Sequence, residues 1–169
     1  TDTLNFVSRA YLRTMLLLLT SVALGSVIGV GLGLISGLRP GSRLAGVASY
    51  ISFLGVLTPS FLLGIFVMLA FVRYISPWFG VRFVLLDPSV DIVDPRRLIA
   101  PSLVLAARPL AFMTQVTIGA LQEVIYRDYV RTAYAKGLRY PSVLFRHILP
   151  NIALPVLTAL NSSFFYALS

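Results

Sequence analysis

The chain has 169 residues, of which 57% are hydrophobic and only 12% charged, and its formal net charge is +8. Its mean hydropathy is +0.88, whereas an ordinary soluble domain is about 25% charged. These values exclude an ordinary soluble domain and indicate an all-α integral membrane protein, built from apolar helices of ~20 residues. The absence of cysteine excludes disulfides, iron–sulfur clusters and thiolate zinc sites.

Four charge-poor windows predict a polytopic transmembrane helical bundle with four spans in a single domain over residues 1–169. The windows cover residues 14–38, 44–72, 98–122 and 148–169. The first has 25 residues, which as a helix of ~1.5 Å rise per residue exceeds the ~30 Å hydrocarbon core. Pro59 predicts a kink in the second, since proline removes a backbone donor and clashes with the preceding turn. Because Thr1 is not an initiator methionine, we expect a fragment of a longer protein.

Small residues recur every four positions along the first window. Such spacing lets another helix backbone approach closely within a membrane, where dispersion contacts drive association. The pattern therefore predicts helix packing through Gly25, Gly29, Gly33 and Gly37. The alternative is that membrane helices simply tolerate glycine.

Arg108 is the one charged residue inside the third window. A guanidinium at bilayer depth costs ~2.5–3.5 kcal/mol on insertion scales. No acidic residue of this chain lies inside a window to pair with it, because the six acids are Asp2, Asp87, Asp91, Asp94, Glu123 and Asp128. Snorkelling, a water-filled path, a partner chain or a misplaced span boundary would each account for Arg108, and we interpret it as a possible pathway residue.

The sequence offers no metal site and no catalytic machinery. His147 is the only histidine, and the three aspartates of the loop over 73–97 lack the glycine turn and terminal glutamate of a calcium loop. That segment is interpreted as a turn-rich loop without strands. The only lysine, Lys136, precedes a glycine instead of following one, so a phosphate-binding Gly-Lys-Ser/Thr loop is excluded.

The positive charge is better explained by lipid than by nucleic acid, since basic residues flank spans and face anionic headgroups. With four spans, the first and third connecting loops share one side of the membrane. They hold seven basic residues against six on the opposite side. The positive-inside rule thus favours a cytoplasmic third loop by a small margin.

The third loop, 123–147, has the pattern of a protein-docking element. Its first part, Glu123 to Lys136, predicts one amphipathic helix, with Glu123 four residues before Arg127 in the favourable order for an ion pair. Gly137 suits a left-handed C-terminal cap, and Pro141 suits the first turn of a second short helix. We therefore expect a helix–glycine–helix element.

Within this loop, residues 128–137 read Asp-Tyr-Val-Arg-Thr-Ala-Tyr-Ala-Lys-Gly, and Arg146-His147, Leu149-Pro150, Asn151 and residues 154–158 continue the pattern. These motifs resemble the inner-membrane permease subunits of ABC transporters, in the dipeptide/oligopeptide/nickel group. Pro59-Ser60-Phe61 is a weaker similarity. The broader permease signature begins Glu-Ala-Ala, whereas Arg131-Thr132-Ala133 stands here, so the glutamate's interactions are not carried over.

The resemblance implies a type I ABC importer permease in a bacterial or archaeal inner membrane, with loop 123–147 cytoplasmic and docked on an ATPase. The implied partners are a second homologous permease subunit, two ATP-binding subunits, an extracytoplasmic substrate-binding protein and the lipid bilayer. ATP and Mg would bind the ATPases and not this chain. The implied coupling residues are Asp128, Tyr129, Arg131, Thr132, Ala133, Lys136, Gly137, Leu138, His147, Leu149 and Pro150.

The resemblance also implies that the chain is not an enzyme and transports peptides, nickel chelates or similar small solutes. Two other classes remain open from the residues themselves. A secondary transporter usually needs an intramembrane carboxylate, which these spans lack. A non-transporting membrane scaffold would explain the glycine packing but not the detailed loop.

Overall fold

The computed structural model describes residues 2–75 and 95–168, which form helices joined by short turns. The prediction of an all-α chain is confirmed, and no strand occurs in these two ranges. Their helices are α1 Asp2–Leu38, α2 Arg43–Leu57, α3 Ser60–Ala70, α4 Pro95–Ile125, α5 Asp128–Ala135, α6 Tyr140–Val143 and α7 Leu149–Leu168. Single π-helical turns follow α3 and α6, at Phe71–Ile75 and Leu144–Ile148. The aspartates at 87, 91 and 94, predicted to lie in a loop, fall outside the described residues.

Three helical stretches of the described ranges are long and apolar enough to cross a membrane: Leu4–Leu38, Pro101–Ile125 and Tyr140–Phe165. The second predicted window instead divides into α2 and α3, of 15 and 11 residues. Where the sequence predicts a kink at Pro59, the structure has a break. Thr58 is extended, with ψ of 133°, because the residue before a proline is disfavoured in the helical region.

α1 and α4 run parallel and in close contact. Gly25 of α1 lies beside Ala106 of α4, and Gly37, three turns later, lies beside Leu121. The two helices therefore end on the same side of the bundle. This arrangement agrees with the expectation that the first and third connecting loops share a side.

α2 and α3, which lie between α1 and α4 in the sequence, run in the opposite direction to both. Ser52 of α2 contacts Gln115 of α4, and Gly64 of α3 lies near Val104, earlier on α4. The α2–α3 segment is thus antiparallel to α4. Although neither short helix reaches ~20 residues, together they form the second crossing of a four-segment bundle, and α7 packs against α4 and α1 as the fourth.

The glycine positions on α1 bring its backbone against α4. A Cβ atom added at Gly25 would lie 2.6 Å from the carbonyl oxygen of Ala106, and one added at Gly33 would lie 2.5 Å from Thr117 Cβ. Gly29 and Gly37 are equally close to α4, whereas an added Cβ at Gly31 would meet nothing within 4 Å. Side chains at the four close positions would force the two backbones apart.

Candidate functional site

The connection between α4 and α7 forms a bent element, residues 126–148, called the elbow below. It contains α5, a glycine turn, α6 and one π-helical turn. The predicted continuous helix from Glu123 to Lys136 is wrong, because α4 ends at Ile125 and α5 begins at Asp128. The predicted ion pair does form between Glu123 and Arg127, both exposed.

Burial explains why the chain bends between α4 and α5. Val124 and Val130 are both buried in the same apolar cluster. In one continuous helix they would point about 120° apart, since each residue advances the helix by ~100°. Extended backbone at Arg127, with ψ of 145°, turns α5 so that Val130 faces the cluster as Val124 does.

Gly137 ends α5 in the left-handed conformation that the sequence predicts, with φ of +78°. The amide of Gly137 donates to the carbonyl oxygen of Tyr134 over 2.9 Å, and the amide of Leu138 donates to that of Ala133 over 3.2 Å. This pair of bonds is a Schellman motif, which satisfies carbonyl groups at the helix end. The turn sends the chain sharply into α6.

α6 begins at Tyr140 with Pro141 in its first turn, where the missing proline N–H costs no helical hydrogen bond. The amide of Val143 donates to the carbonyl oxygen of Arg139 over 3.1 Å. The predicted helix–glycine–helix arrangement is therefore present, with a first helix shorter than expected.

The inner side of the elbow is seated on the transmembrane helices. Val143 and Ile148 are 0% and 2% exposed, and they share an apolar cluster with residues from α4, α5 and α7. The cluster comprises Leu121, Val124, Val130, Ala133, Val143, Ile148 and Ile152, with Leu34 and Leu38 of α1 packed against it. The elbow is thus fixed by burial to three long helices.

The outer side of the elbow carries aromatic rings and cations. Its exposed large apolar residues are Tyr126, Tyr129, Tyr134, Leu138, Tyr140 and Phe145. The basic side chains of Arg131, Lys136, Arg139 and Arg146 are also exposed. Exposed aromatic rings and arginines are enriched at protein–protein interfaces.

The predicted coupling residues divide between the two sides of the elbow. Ala133 is buried and His147 and Leu149 are half-buried, whereas the exposed members are Asp128, Tyr129, Arg131, Thr132, Lys136, Gly137, Leu138 and Pro150. The carbonyl oxygen of His147 accepts a hydrogen bond from Asn151 Nδ2 over 2.6 Å, which ties the elbow to the first turn of α7.

Sequence reasoning missed the residues that anchor the elbow. Val130, Val143 and Ile148 are ordinary apolar residues, and their role depends on where the chain bends. It also missed an open pocket of about 530 Å³ at the junction of α4, α5 and α7, lined by Glu123, Val124, Arg127, Asp128, Tyr129, Asn151 and Pro155. The two carboxylates and the asparagine are visible in the sequence, but nothing in their spacing indicates that they come together at one junction.

Arg108 lies half-buried on α4, directly before the buried Pro109. Arg108 lines neither this open pocket at the elbow nor a second, apolar pocket between α2, α3 and α4. Its interpretation as a pathway residue stays a prediction. Among the described residues, no group of three or more His, Cys, Asp or Glu side chains could hold a metal ion.

Comparison with known proteins identifies a matching family. The family described as "Binding-protein-dependent transport system inner membrane component" matches residues 29–169. The matched region includes the elbow, α4, α7 and the last part of α1.

Individual relatives agree with this match. The chain is 35% identical over 148 residues to the oligopeptide transport system permease protein AppB of Bacillus subtilis, covering 86% of this chain and 46% of the relative. It is 36% identical over 156 residues to a putative peptide permease protein of Brucella suis, covering 89% and 47%. The dipeptide transport system permease protein DppB of Bacillus subtilis is 29% identical over 144 residues, covering 85% and 44%. The chain spans about half the length of these curated relatives.

Proposed function

Because this chain belongs to the family of inner membrane components of binding-protein-dependent transport systems, we propose that it is part of a permease subunit of an ATP-driven ABC importer. It forms part of the translocation pathway and couples to a separate ATPase through the elbow. It is a multi-pass protein of the inner membrane and not an enzyme itself. Its cargo is peptides or similar small solutes, a proposal supported by relatives named as oligopeptide and dipeptide permeases.

The single observation that carries the coupling role is the two-sided construction of the elbow. Buried Val143 and Ile148 fix its inner side to the membrane helices, while rings and cations cover its outer side. A loop that served only to set the orientation of the chain in the membrane would need only positive charge. An element that must pass motion from a partner to the bilayer needs both a docking surface and a rigid attachment.

Coupling follows from this construction by rigid-body movement. ATP binding draws two ATPase subunits together, and each carries its docked elbow with it. Since the elbow shares an apolar cluster with α4 and α7 and contacts α1, those helices tilt with it instead of being left behind. Packed clusters transmit such displacement because protein interiors have low compressibility.

Particular residues of the outer side have distinct roles in docking. Arg131 and Lys136 meet acidic or polar groups of the ATPase, and the exposed Leu138 packs against its apolar surface. Gly137 sets the bend that brings them together. ATP and Mg bind the ATPase partners, since this sequence has no phosphate-binding Gly-Lys-Ser/Thr loop.

The rest of the transporter is supplied by other chains. We propose a second homologous permease subunit, two ATP-binding subunits and an extracytoplasmic substrate-binding protein, in keeping with the family's description as a component of binding-protein-dependent transport. Arg108, a cation at membrane depth on α4, is proposed to face the pathway of the solute.

Two measurements on the full-length protein in its native membrane test the proposal. The first is copurification of an ATPase with the wild-type protein and with Arg131→Glu/Lys136→Glu, using Arg43→Glu, on the same side but outside the elbow, as the matched control. We expect the ATPase to be lost only from the elbow variant. Equal recovery from all three proteins would contradict the docking role.

The second measurement locates the elbow. These 169 residues contain no cysteine, so Leu138→Cys introduces a single thiol within the described region. A membrane-impermeant thiol reagent should label this cysteine in inverted vesicles and not in intact cells. Labelling from outside intact cells would place the elbow on the wrong side for an ATPase and would end the proposal.

A further inference from the structure

The exposed side of α7 divides into two flanks of different chemistry. α7 packs against α4 and α1, and Ile152, Ala159 and Ser163 mark its buried side. One flank beside them, called the apolar flank below, consists of the exposed or partly exposed residues Ala153, Leu157, Leu160 and Phe164. They follow each other at intervals of four, three and four residues, so they form one stripe along the helix.

The other flank carries polar side chains, and it is called the polar flank below. Its exposed or partly exposed polar members are Asn151, Thr158, Asn161 and Ser162. At ~100° per residue they fall within about 100° of the helix circumference. Lipid hydrocarbon suits the apolar flank, whereas it leaves polar groups without hydrogen-bond partners.

The two hydroxyl groups of the polar flank are satisfied within α7 itself. Thr158 Oγ1 donates to the carbonyl oxygen of Leu154 over 3.0 Å, and Ser162 Oγ donates to that of Thr158 over 3.4 Å. Serine and threonine commonly bond to the preceding helical turn in this way. These hydroxyls alone are therefore compatible with either lipid or water.

The amide of Asn161 distinguishes lipid from water. It lies within the Tyr140–Phe165 span, and its side chain is exposed and makes no hydrogen bond with the described residues. By contrast, Gln115 Nε2 on α4 donates to the carbonyl oxygen of Ser49 over 3.3 Å and to Ser52 Oγ over 3.2 Å. The bundle thus supplies partners for one amide at membrane depth and leaves the other facing outward, where polar residues of spans meet a cavity with water.

The polar flank leads into the open pocket at the elbow. Asn151 and Pro155 of α7 line this pocket together with Glu123 of α4 and Asp128 of α5. Because Asn151 and Asn161 lie on the same flank, polar groups extend from the pocket into the membrane-spanning part of α7. An open, charged pocket at one end is a point where water reaches the flank.

The shape of the polar flank favours a solute over a tightly packed helix. Leu154 and Phe165, 74% and 71% exposed, project among its polar groups. Close helix contacts in membranes use small residues instead. Large apolar side chains with a few polar groups between them are typical of surfaces that bind small molecules.

We propose that the polar flank of α7 lines the water-filled pathway of the solute, with the open pocket at the elbow as its cytoplasmic mouth and the apolar flank turned to lipid. The proposal rests on the proposed transport function. The amide of Asn161 bonds to polar groups of the passing solute, and Leu154 and Phe165 contact its apolar groups. Short peptides combine both kinds of group.

Single cysteines in the full transporter test which flank meets water. Thr158→Cys and Asn161→Cys probe the polar flank, and Leu157→Cys and Phe164→Cys are the controls on the apolar flank. Leu157 and Thr158 are neighbours, so they share one depth but point ~100° apart. The background carries no other reactive cysteine, and these 169 residues contain none.

The reagent is a small, permanently charged methanethiosulfonate, applied to membranes with and without ATP and vanadate. It reacts with the thiolate, which forms in water and not in hydrocarbon. We expect both polar-flank cysteines to react many times faster than both controls, and their rates to change with nucleotide as the pathway opens to one side or the other. Labelling after denaturation should be equal in all four variants.

Each failure has its own result. If Thr158→Cys and Asn161→Cys react as slowly as the controls, lipid or another helix covers the polar flank and the proposal is wrong. If they react fast but at rates that do not depend on nucleotide, the flank meets water while ATP-driven transport, the proposed function, is contradicted.

Side-chain variants test the amide of Asn161. Asn161→Leu removes its hydrogen-bonding groups, Asn161→Gln keeps them, and Phe164→Leu on the apolar flank is the control. Uptake of a labelled pool of dipeptides and tripeptides is measured together with ATP hydrolysis. We expect uptake per ATP hydrolysed to fall several-fold in Asn161→Leu, to recover largely in Asn161→Gln and to stay unchanged in Phe164→Leu.

The ratio of uptake to hydrolysis separates contact with the solute from loss of fold, since a destabilised protein would lose uptake, hydrolysis and ATPase association together. An unchanged ratio in Asn161→Leu, or an equal fall in Phe164→Leu, would overturn the role of Asn161. No peptide uptake by the wild-type protein would instead contradict the proposed function.

Discussion

The carbonyl oxygen of Gly29 accepts a hydrogen bond from the side chain of Thr114, with 3.1 Å between Gly29 O and Thr114 Oγ1. These residues are 85 positions apart and lie on different membrane helices. The bond forms because Gly29 has no side chain to separate the two backbones, and an added Cβ there would lie 2.6 Å from the carbonyl oxygen of Leu110. Helices α1 and α4 are therefore in backbone contact at this level.

Gly29→Ala is expected to destabilise the protein, whereas Gly31→Ala is not. The methyl group at position 29 overlaps α4, and overpacking of this kind costs about 1–3 kcal/mol. At Gly31 there is open space, so alanine should be neutral or gain up to ~1 kcal/mol of helix propensity. Unfolding in detergent, followed by circular dichroism, measures both, and equal stability of the two variants would show that α1 and α4 are not in contact at Gly29.

Thr114→Val should destabilise the α1–α4 pair more than Thr117→Val does. Both residues are buried, and each hydroxyl lies within hydrogen-bonding distance of a carbonyl oxygen of its own helix, Leu110 for Thr114 and Met113 for Thr117. Of the two, only Thr114 Oγ1 also reaches a carbonyl oxygen of α1. We expect a loss of roughly 0.6–1.7 kcal/mol for the interhelical bond. The same unfolding measurement applies, and a larger effect at Thr117 would contradict the assignment.

Gly137→Ala is expected to weaken the turn of the elbow, since φ of +78° there costs a residue with a Cβ about 1–2 kcal/mol. Gly119→Ala, on the helical part of α4 with open space around it, is the matched control. Hydrogen exchange of the amides of Gly137 and Leu138, which close the turn, should accelerate only in the first variant. Unchanged protection would mean that glycine is not required for the bend.

Ile148→Ala should loosen the elbow from the membrane helices without removing its docking surface. Ile148 is buried in the shared cluster, and deletion of such a side chain costs about 2–5 kcal/mol. ATPase association should persist while uptake per ATP falls. Leu157→Ala, at an exposed position on α7, is the control, and a similar loss of coupling in both variants would argue against the elbow as a lever.

Much of the fold could be predicted because its signals are local. The apolar windows, the left-handed cap at Gly137 and the helix start at Pro141 depend on residues close together in the sequence. The bend at Arg127 was missed, because it is set by the burial of Val124 and Val130 in one cluster, a tertiary effect that overrides helical periodicity. The sequence predicts only a kink at Pro59, where the structure has a break. Proline by itself does not decide whether a helix continues, because the buried Pro109 stays within a continuous helix and Pro59 does not.

The sequence draws attention to elbow residues that the structure leaves exposed and not to the buried residues that support them, and the docking role itself stays a prediction. A distinctive motif drew attention to Arg131, Lys136 and Gly137. The polar contact of Gln115 with Ser49 and Ser52 requires knowing that α2 runs antiparallel to α4. No spacing along the chain encodes that pairing.

In the proposed permease, the backbone contact between α1 and α4 also constrains where a solute can travel. From Gly25 to Gly37 the seam is closed by main-chain atoms, Thr117 and Leu121, so neither water nor cargo fits between these helices. Any conduit must open along the remaining faces of α4, including the one turned to α2 and α3. Substitution of the four glycines would thus affect the walls of the proposed conduit indirectly, by displacing α4, whose remaining faces contribute to those walls.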